Sequence, residues 1–151
     1  QLSRGLGDVY KRQFIYNQIL NLNKSLKRDF NIKNPKIIIS GVNPHAGENG
    51  KIGDEELRFL KPVISKLKMK KINITDPFSA DSILIKENLK KYNCFIFIYH
   101  DQALIPFKYI SQFTGVNFTG NLCNMILDIN FLHPFAHQTT FSALICILFN
   151  V

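Results

Sequence analysis

An α/β fold, a mostly parallel sheet flanked by helices, is what this sequence predicts, and two observations predict it. Short β-rich apolar runs, Lys36-Ile37-Ile38-Ile39-Ser40 and Cys94-Phe95-Ile96-Phe97-Ile98, alternate with stretches of helical period. Each run leads into a histidine motif, Asn43-Pro44-His45-Ala46-Gly47-Glu48 after the first and Tyr99-His100-Asp101-Gln102 after the second. In an open α/β sheet, groups at the C-terminal ends of strands converge on one crevice. Two imidazoles delivered there, each next to a carboxylate, read as a metal or acid–base site.

The elements follow in order. Gln1 to Gln13 has no clean period and carries Gly5 and Gly7, so it reads as a non-native or disordered tail. From Phe14, the residues Ile15, Ile19, Leu20, Leu22, Leu26 and Phe30 recur near the helical period. Asn31 to Pro35 breaks the pattern, with Pro35 biasing Asn34 away from helix. Lys36 to Ser40 is a buried strand, and Gly41 to Gly53 a glycine-rich loop. Asp54-Glu55-Glu56 opens a helix with acidic residues, favourable at its N-terminus, and the helix runs to about Leu67. Pro62 lies inside that pattern and is an alternative first turn. Lys71 to Thr75 is a short strand. Asp76-Pro77 signals a turn, and Ser79 or Asp81 is placed to cap a helix through Leu89. Cys94 to Tyr99 is the next strand. Gln102 to Ile105 is a loop or short helix, Phe107 to Ile110 strand or helix, and Val116 to Thr119 a short strand. No internal repeat is visible.

Length and composition narrow the classes. A chain of 151 residues has room for one domain with a real core, and its hydrophobic content of 46% is ordinary for a globular protein. Three cysteines, Cys94, Cys123 and Cys146, are an odd count without metal-type spacing. Cys94 reads as a small buried hydrophobe, and a reducing cytoplasm fits better than secretion. The net charge of +8 raises nucleic acid or an acidic ligand as partner. Its local cluster, Lys61, Lys66, Lys68, Lys70 and Lys71, reads instead as a solvated helix face, with no nucleic-acid recognition motif beside it. No apolar run reaches the ~20 residues of a membrane span, and the N-terminus lacks the apolar core of a signal peptide.

On pattern alone the individual site residues stay open. His45 lies in a glycine-rich loop where Gly47 and Gly50 permit close approach of backbone to a ligand, yet a lone loop histidine is usually an ordinary surface residue. His100 and Asp101 follow a strand directly, as a functional pair or as a backbone-satisfied histidine with Asp101 capping the next turn. Lys108 is a phosphate or enolate partner, or an exposed charge. Asp81 is a pocket carboxylate, a helix N-cap, or both.

The motifs together carry a resemblance. Asn43-Pro44-His45-Ala46-Gly47-Glu48 continues as Gly50-Lys51-Ile52-Gly53-Asp54-Glu55-Glu56. Phe78-Ser79-Ala80-Asp81, His100-Asp101-Gln102, Lys108-Tyr109 and Val116-Asn117 follow at matching spacings. The span from about Phe14 to Thr119 resembles the 4-hydroxythreonine-4-phosphate dehydrogenases of pyridoxal phosphate biosynthesis. The resemblance implies an isocitrate/isopropylmalate dehydrogenase-like α/β fold. It also implies a cytoplasmic homodimer with a shared active site, and NAD- or NADP-dependent oxidation and decarboxylation of 4-phosphohydroxy-L-threonine. His45 and His100 are implied as ligands to a divalent metal, with zinc, magnesium, cobalt and manganese all compatible. Glu48 is a local acid able to orient His45. Asp81, Lys108 and Asn117 are implied at the substrate, with Asp101 and Lys108 closest to the chemistry. No nucleic acid or membrane is expected as partner.

Three departures bound this expectation. The family's third metal ligand belongs to an N-terminal half that this chain lacks. Its substrate arginine falls nine residues after Asn117, where this sequence has Ile126. Its Asp-His-Gly-Thr-Ala cofactor box does not appear, and residues 120–151 read as a divergent apolar tail in which His133 and His137 carry little weight. A shifted reading frame would account for that tail: Phe135-Ala136-His137-Gln138-Thr139-Thr140 back-translates so that a one-base shift encodes Ile-Arg-Thr-Ser-Asp-His. The chain is therefore expected to be an inactive fragment. The alternatives are a related metal-dependent dehydrogenase of another hydroxy acid, and a non-catalytic basic binding module.

Overall fold

The computed structural model describes residues 2–43, 54, 56–111, 115–120, 123–128 and 145–148, with side chains described for 9–43, 54 and 56–110. Among these residues the apolar runs become one sheet of six strands: β1 Lys36–Ile39, β2 Asn73–Ile74, β3 Cys94–Phe97, β4 Gly115–Gly120, β5 Cys123–Asp128 and β6 Ile145–Leu148. Their order across the sheet is β2-β1-β3-β6-β5-β4. β1 pairs in parallel with β2, Ile37 beside Ile74, and with β3, Ile39 beside Ile96.

The sheet is mostly parallel, as expected: three of its five strand pairings are parallel and two are antiparallel. β3 pairs antiparallel with β6, and β4 antiparallel with β5, while β5 and β6 are parallel. The β4–β5 pair has a simple cause. Only Asn121 and Leu122 separate the strands, whereas a parallel crossover needs a dozen residues or more.

Side-chain alternation along β1 and β3 gives the sheet two apolar faces. Ile37, Ile39, Cys94 and Ile96 face one way and pack with Ile19, Leu22 and Leu26 of α1 (Leu2–Arg28) and Val63, Ile64 and Leu67 of α2 (Lys61–Met69). Ile38, Phe95 and Phe97 face the other way and pack with Ile83 and with Ala103 and Phe107 of α4 (His100–Ser111). Helices on both faces make this an α/β layer structure. Cys94 is fully buried, as expected, but is disulfide-bonded rather than a free thiol. Three cysteines leave room for one pair, so their odd number carries no weight for a reducing compartment.

Helix boundaries depart from the pattern where local backbone chemistry intervenes. α1 is continuous from Leu2 through the stretch that reads as a tail, with Val9 and Tyr10 exposed on it. It ends where Asn31 takes a left-handed φ of 54° and the Ile32 amide returns to the Leu26 carbonyl at 3.0 Å. The helix expected from Asp54 is two pieces, a π-helical turn Glu56–Leu60 and then α2, with Pro62 near the start of α2 where its missing N–H costs least. The helix expected through Leu89 is shorter: α3 spans Lys86–Lys91, and no side chain caps its N-terminus. α4 begins at His100 itself and continues through Pro106, because Ala103 and Phe107, one turn apart, anchor it to the sheet.

Candidate active site at the strand ends

The exit of β1 is bonded residue by residue to its neighbours. The Ser40 amide donates to the Ile96 carbonyl at 2.8 Å, and the buried Ser40 Oγ accepts from the Ile98 amide at 3.1 Å. The Phe78 amide donates to the Ile39 carbonyl at 2.9 Å, and the Gly41 amide to the Phe78 carbonyl at 2.8 Å. The Asn43 amide then donates to Glu56 Oε1 at 2.7 Å. Four residues of chain thus tie together the roots of three motifs: the one entering His45, the one at Phe78–Asp81, and the one entering His100. The topology places all three at one end of parallel strands, where crevices of this fold class lie.

His100 opens α4, its Nδ1 lying 3.0 Å from Asp101 Oδ1. A carboxylate oxygen only accepts, so in a neutral imidazole this bond places the proton on Nδ1 and leaves the lone pair on Nε2. Side-chain exposures of 63% for His100 and 85% for Asp101 remove the burial cost that a strand-end pair would otherwise carry, and leave Nε2 approachable. An imidazole oriented through one nitrogen by a carboxylate and open at the other fits a metal-ligand position. Among the described residues no three metal-binding side chains gather. His45 and Glu48 lie outside the described residues.

Lys108 is exposed and sits seven residues after Asp101 on α4. Seven residues are nearly two full turns, so Asp101 and Lys108 share a helix face with a rise of roughly 10 Å between them. Asp81 is exposed, and its Oδ1 accepts from Ser79 Oγ at 2.7 Å. It does not cap α3, which starts at Lys86, so the N-cap alternative falls away and its hydroxyl-oriented carboxylate remains. Asn117 lies on β4, directly paired with Ile126 of β5. The residue standing where an arginine was expected is therefore the immediate cross-strand neighbour of Asn117. Of the lysine cluster, Lys66, Lys68, Lys70 and Lys71 are exposed and Lys61 is half-buried, and Lys68 pairs with Asp76 at 2.9 Å.

Ser40 and Glu56 are the residues that pattern reading passes over. Ser40 looks like the polar end of an apolar run, and nothing in its identity announces that its hydroxyl joins two strands. Glu56 left a signal. It is in sequence register with Leu60, Val63 and Leu67, the buried stripe of the following helix, rather than with the exposed face.

Comparison with known proteins adds an independent line. Residues 6–128 match the family of the pyridoxal phosphate biosynthetic protein PdxA, a span that runs beyond Phe14 and Thr119 on both sides. The 4-hydroxythreonine-4-phosphate dehydrogenase of Paracoccus denitrificans is 41% identical over 95 residues, covering 63% of this chain and 30% of that protein. The enzyme of the same name from Wigglesworthia glossinidia brevipalpis is 43% identical over 105 residues, 70% of this chain and 32% of the relative. The crystal structure of the Klebsiella pneumoniae 4-hydroxythreonine-4-phosphate dehydrogenase superposes with a TM-score of 0.67 at 28% identity, covering 91% of this chain and 35% of that one. The chain spans about a third of the length of the relatives it matches. With a family match over most of its length and the same motifs at its strand ends, this chain belongs to the PdxA family of pyridoxal phosphate biosynthetic proteins.

Proposed function

We propose that these residues form the metal- and substrate-holding part of a dehydrogenase that oxidises 4-phosphohydroxy-L-threonine with NAD or NADP in pyridoxal phosphate biosynthesis. The observation that carries the reading is the meeting of the His45 and His100 approaches at adjacent parallel strand ends, joined through Ser40. His45 and His100 would hold a divalent metal, with Asp101 fixing the imidazole of His100. When bound, that metal supplies Lewis-acid polarisation of the substrate oxygen, and the nicotinamide accepts the hydride. Lys108 offers an ammonium to a substrate phosphate or a developing enolate, and Asp81 and Asn117 line the substrate side. The wider reading places the protein in the cytoplasm as a homodimer of isocitrate/isopropylmalate dehydrogenase-like fold, its active site shared between subunits. Nucleic acid and membrane are not among its partners.

Grafting tests this directly. Residues 14–119, exchanged for the matching stretch of the Paracoccus denitrificans relative, are expected to support substrate-dependent reduction of the nicotinamide. His100→Ala in the graft should lower kcat/KM at least about 100-fold through loss of a ligand. A folded graft without turnover, beside an active parent, rejects the reading.

One observation favours a second reading, a related dehydrogenase of another hydroxy acid: Ile126 stands beside Asn117 where a phosphate-binding arginine was expected. A longer graft carrying residues 14–128 brings Ile126 with it. Retained preference for the phosphorylated substrate supports the first reading; preference for an unphosphorylated one supports the second.

A further inference from the structure

Glu56 is 2% exposed, and ionisable side chains are almost never so buried unless they are paired or used. One of its oxygens accepts from the Asn43 amide at 2.7 Å. The other, Oε2, is buried with no hydrogen-bond partner among the described residues. Packing alone does not account for such a residue, since an apolar side chain would fill the same space without an unsatisfied oxygen. Its backbone is also unusual. Glu56 begins the π-helical turn that precedes α2, and single π-turns inside helices are frequent at functional sites.

The position of its partner gives the group a use. Asn43 is two residues before His45, and the chain between Ser40 and Asn43 is already tied to β3 and to Phe78. The Glu56 bond ties the chain two residues before the histidine. We propose that Glu56 is a positioning residue: its buried carboxyl holds the Asn43 amide and so fixes the direction in which the chain leaves β1 toward His45. The inference rests on the reading of His45 as a metal ligand for its consequence, and on the Asn43 bond for its geometry.

The test uses the whole 151-residue chain with two readouts, hydrogen exchange at the Asn43 amide and titration with Co²⁺ alone. The Asn43 amide should be protected. Glu56→Ala should speed its exchange roughly tenfold or more, as expected for loss of a local hydrogen bond. The same change should weaken Co²⁺ binding about 10–100-fold, the range seen when an orienting partner outside the ligand set is removed. Glu56→Gln keeps an acceptor oxygen at the same reach and should restore both values to within about threefold, a rescue that loss of general packing would not give. Unchanged Asn43 exchange in Glu56→Ala overturns the proposal. So does unchanged Co²⁺ affinity in that variant when His45→Ala weakens it. If Glu56→Ala does not fold, an unprotected Asn43 amide in the unsubstituted chain overturns the proposal, and protection supports it. Equal Co²⁺ binding by the unsubstituted chain, His45→Ala and His100→Ala would instead reject the metal reading, and Asn43 exchange then decides the anchor alone.

Discussion

His100 and Asp101 show how a candidate site residue differs from a structural one. Both side chains are exposed and bonded to each other, so the pair gives the fold little; exposed pairs contribute ~0–1 kcal/mol. Its consequence lies in the tautomer it selects. Asp101→Ala is therefore expected to leave stability within about 0.5 kcal/mol by denaturant unfolding. It should also weaken Co²⁺ binding about tenfold, because the imidazole loses the acceptor that orients it. Equal affinity in the variant would show that Asp101 does not act through His100. Ser40 is the opposite case, wholly buried and bonded through both its amide and its hydroxyl. The histidines could be picked out as candidates by reading the chain, since motif spacing singles them out. Ser40 could not, because a serine after three isoleucines is equally compatible with a strand that simply ends.

The elements were legible where apolar period alone decides them. β1, β3 and the buried stripes of α1 and α2 follow from it, and their alternate faces predict the two halves of the core. Legibility failed where backbone chemistry or strand partners intervene. Gln102 to Ile105 and Phe107 to Ile110 read as separate pieces, yet α4 runs through both and through Pro106 because Ala103 and Phe107 hold it to the sheet. The apolar residues after Asn121 gave no partner, yet β5 places Ile126 opposite Asn117. Directly opposed residues have Cβ atoms roughly 5 Å apart on one face of the sheet, so a guanidinium at position 126 could reach any ligand held by Asn117. In the 14–128 graft, Ile126→Arg is expected to tighten binding of a phosphorylated substrate analogue about tenfold, in line with a charge-assisted hydrogen bond to phosphate. Calorimetric titration of the phosphorylated and unphosphorylated analogues measures it. Equal gains for both would place position 126 outside the phosphate subsite.

The molecule as a whole depends on its last strand. β6 is last in sequence but lies between β3 and β5, its Cys146 beside Ile96 on one side and Met125 on the other. Its continuous apolar run Ile145-Cys146-Ile147-Leu148 suits a central strand that has both edges paired. Without β6 the sheet order breaks into β2-β1-β3 and an isolated β5-β4 hairpin, since among the described residues no other strand pairing joins the two halves. A two-stranded hairpin is marginal alone, and β3 would present an unpaired apolar edge, a ready template for association with other chains. Ending the chain after Asp128 is therefore expected to strip amide protection from β4 and β5 while β1 keeps more of its own, and to raise the apparent mass in light scattering with concentration. A shortened chain that stays monomeric, with β4 and β5 protected as before, would mean that the hairpin docks without β6. The sheet would then owe its second half to contacts with the helices, and α1, which lies against β5, and α4, which lies against β4, are placed to provide them.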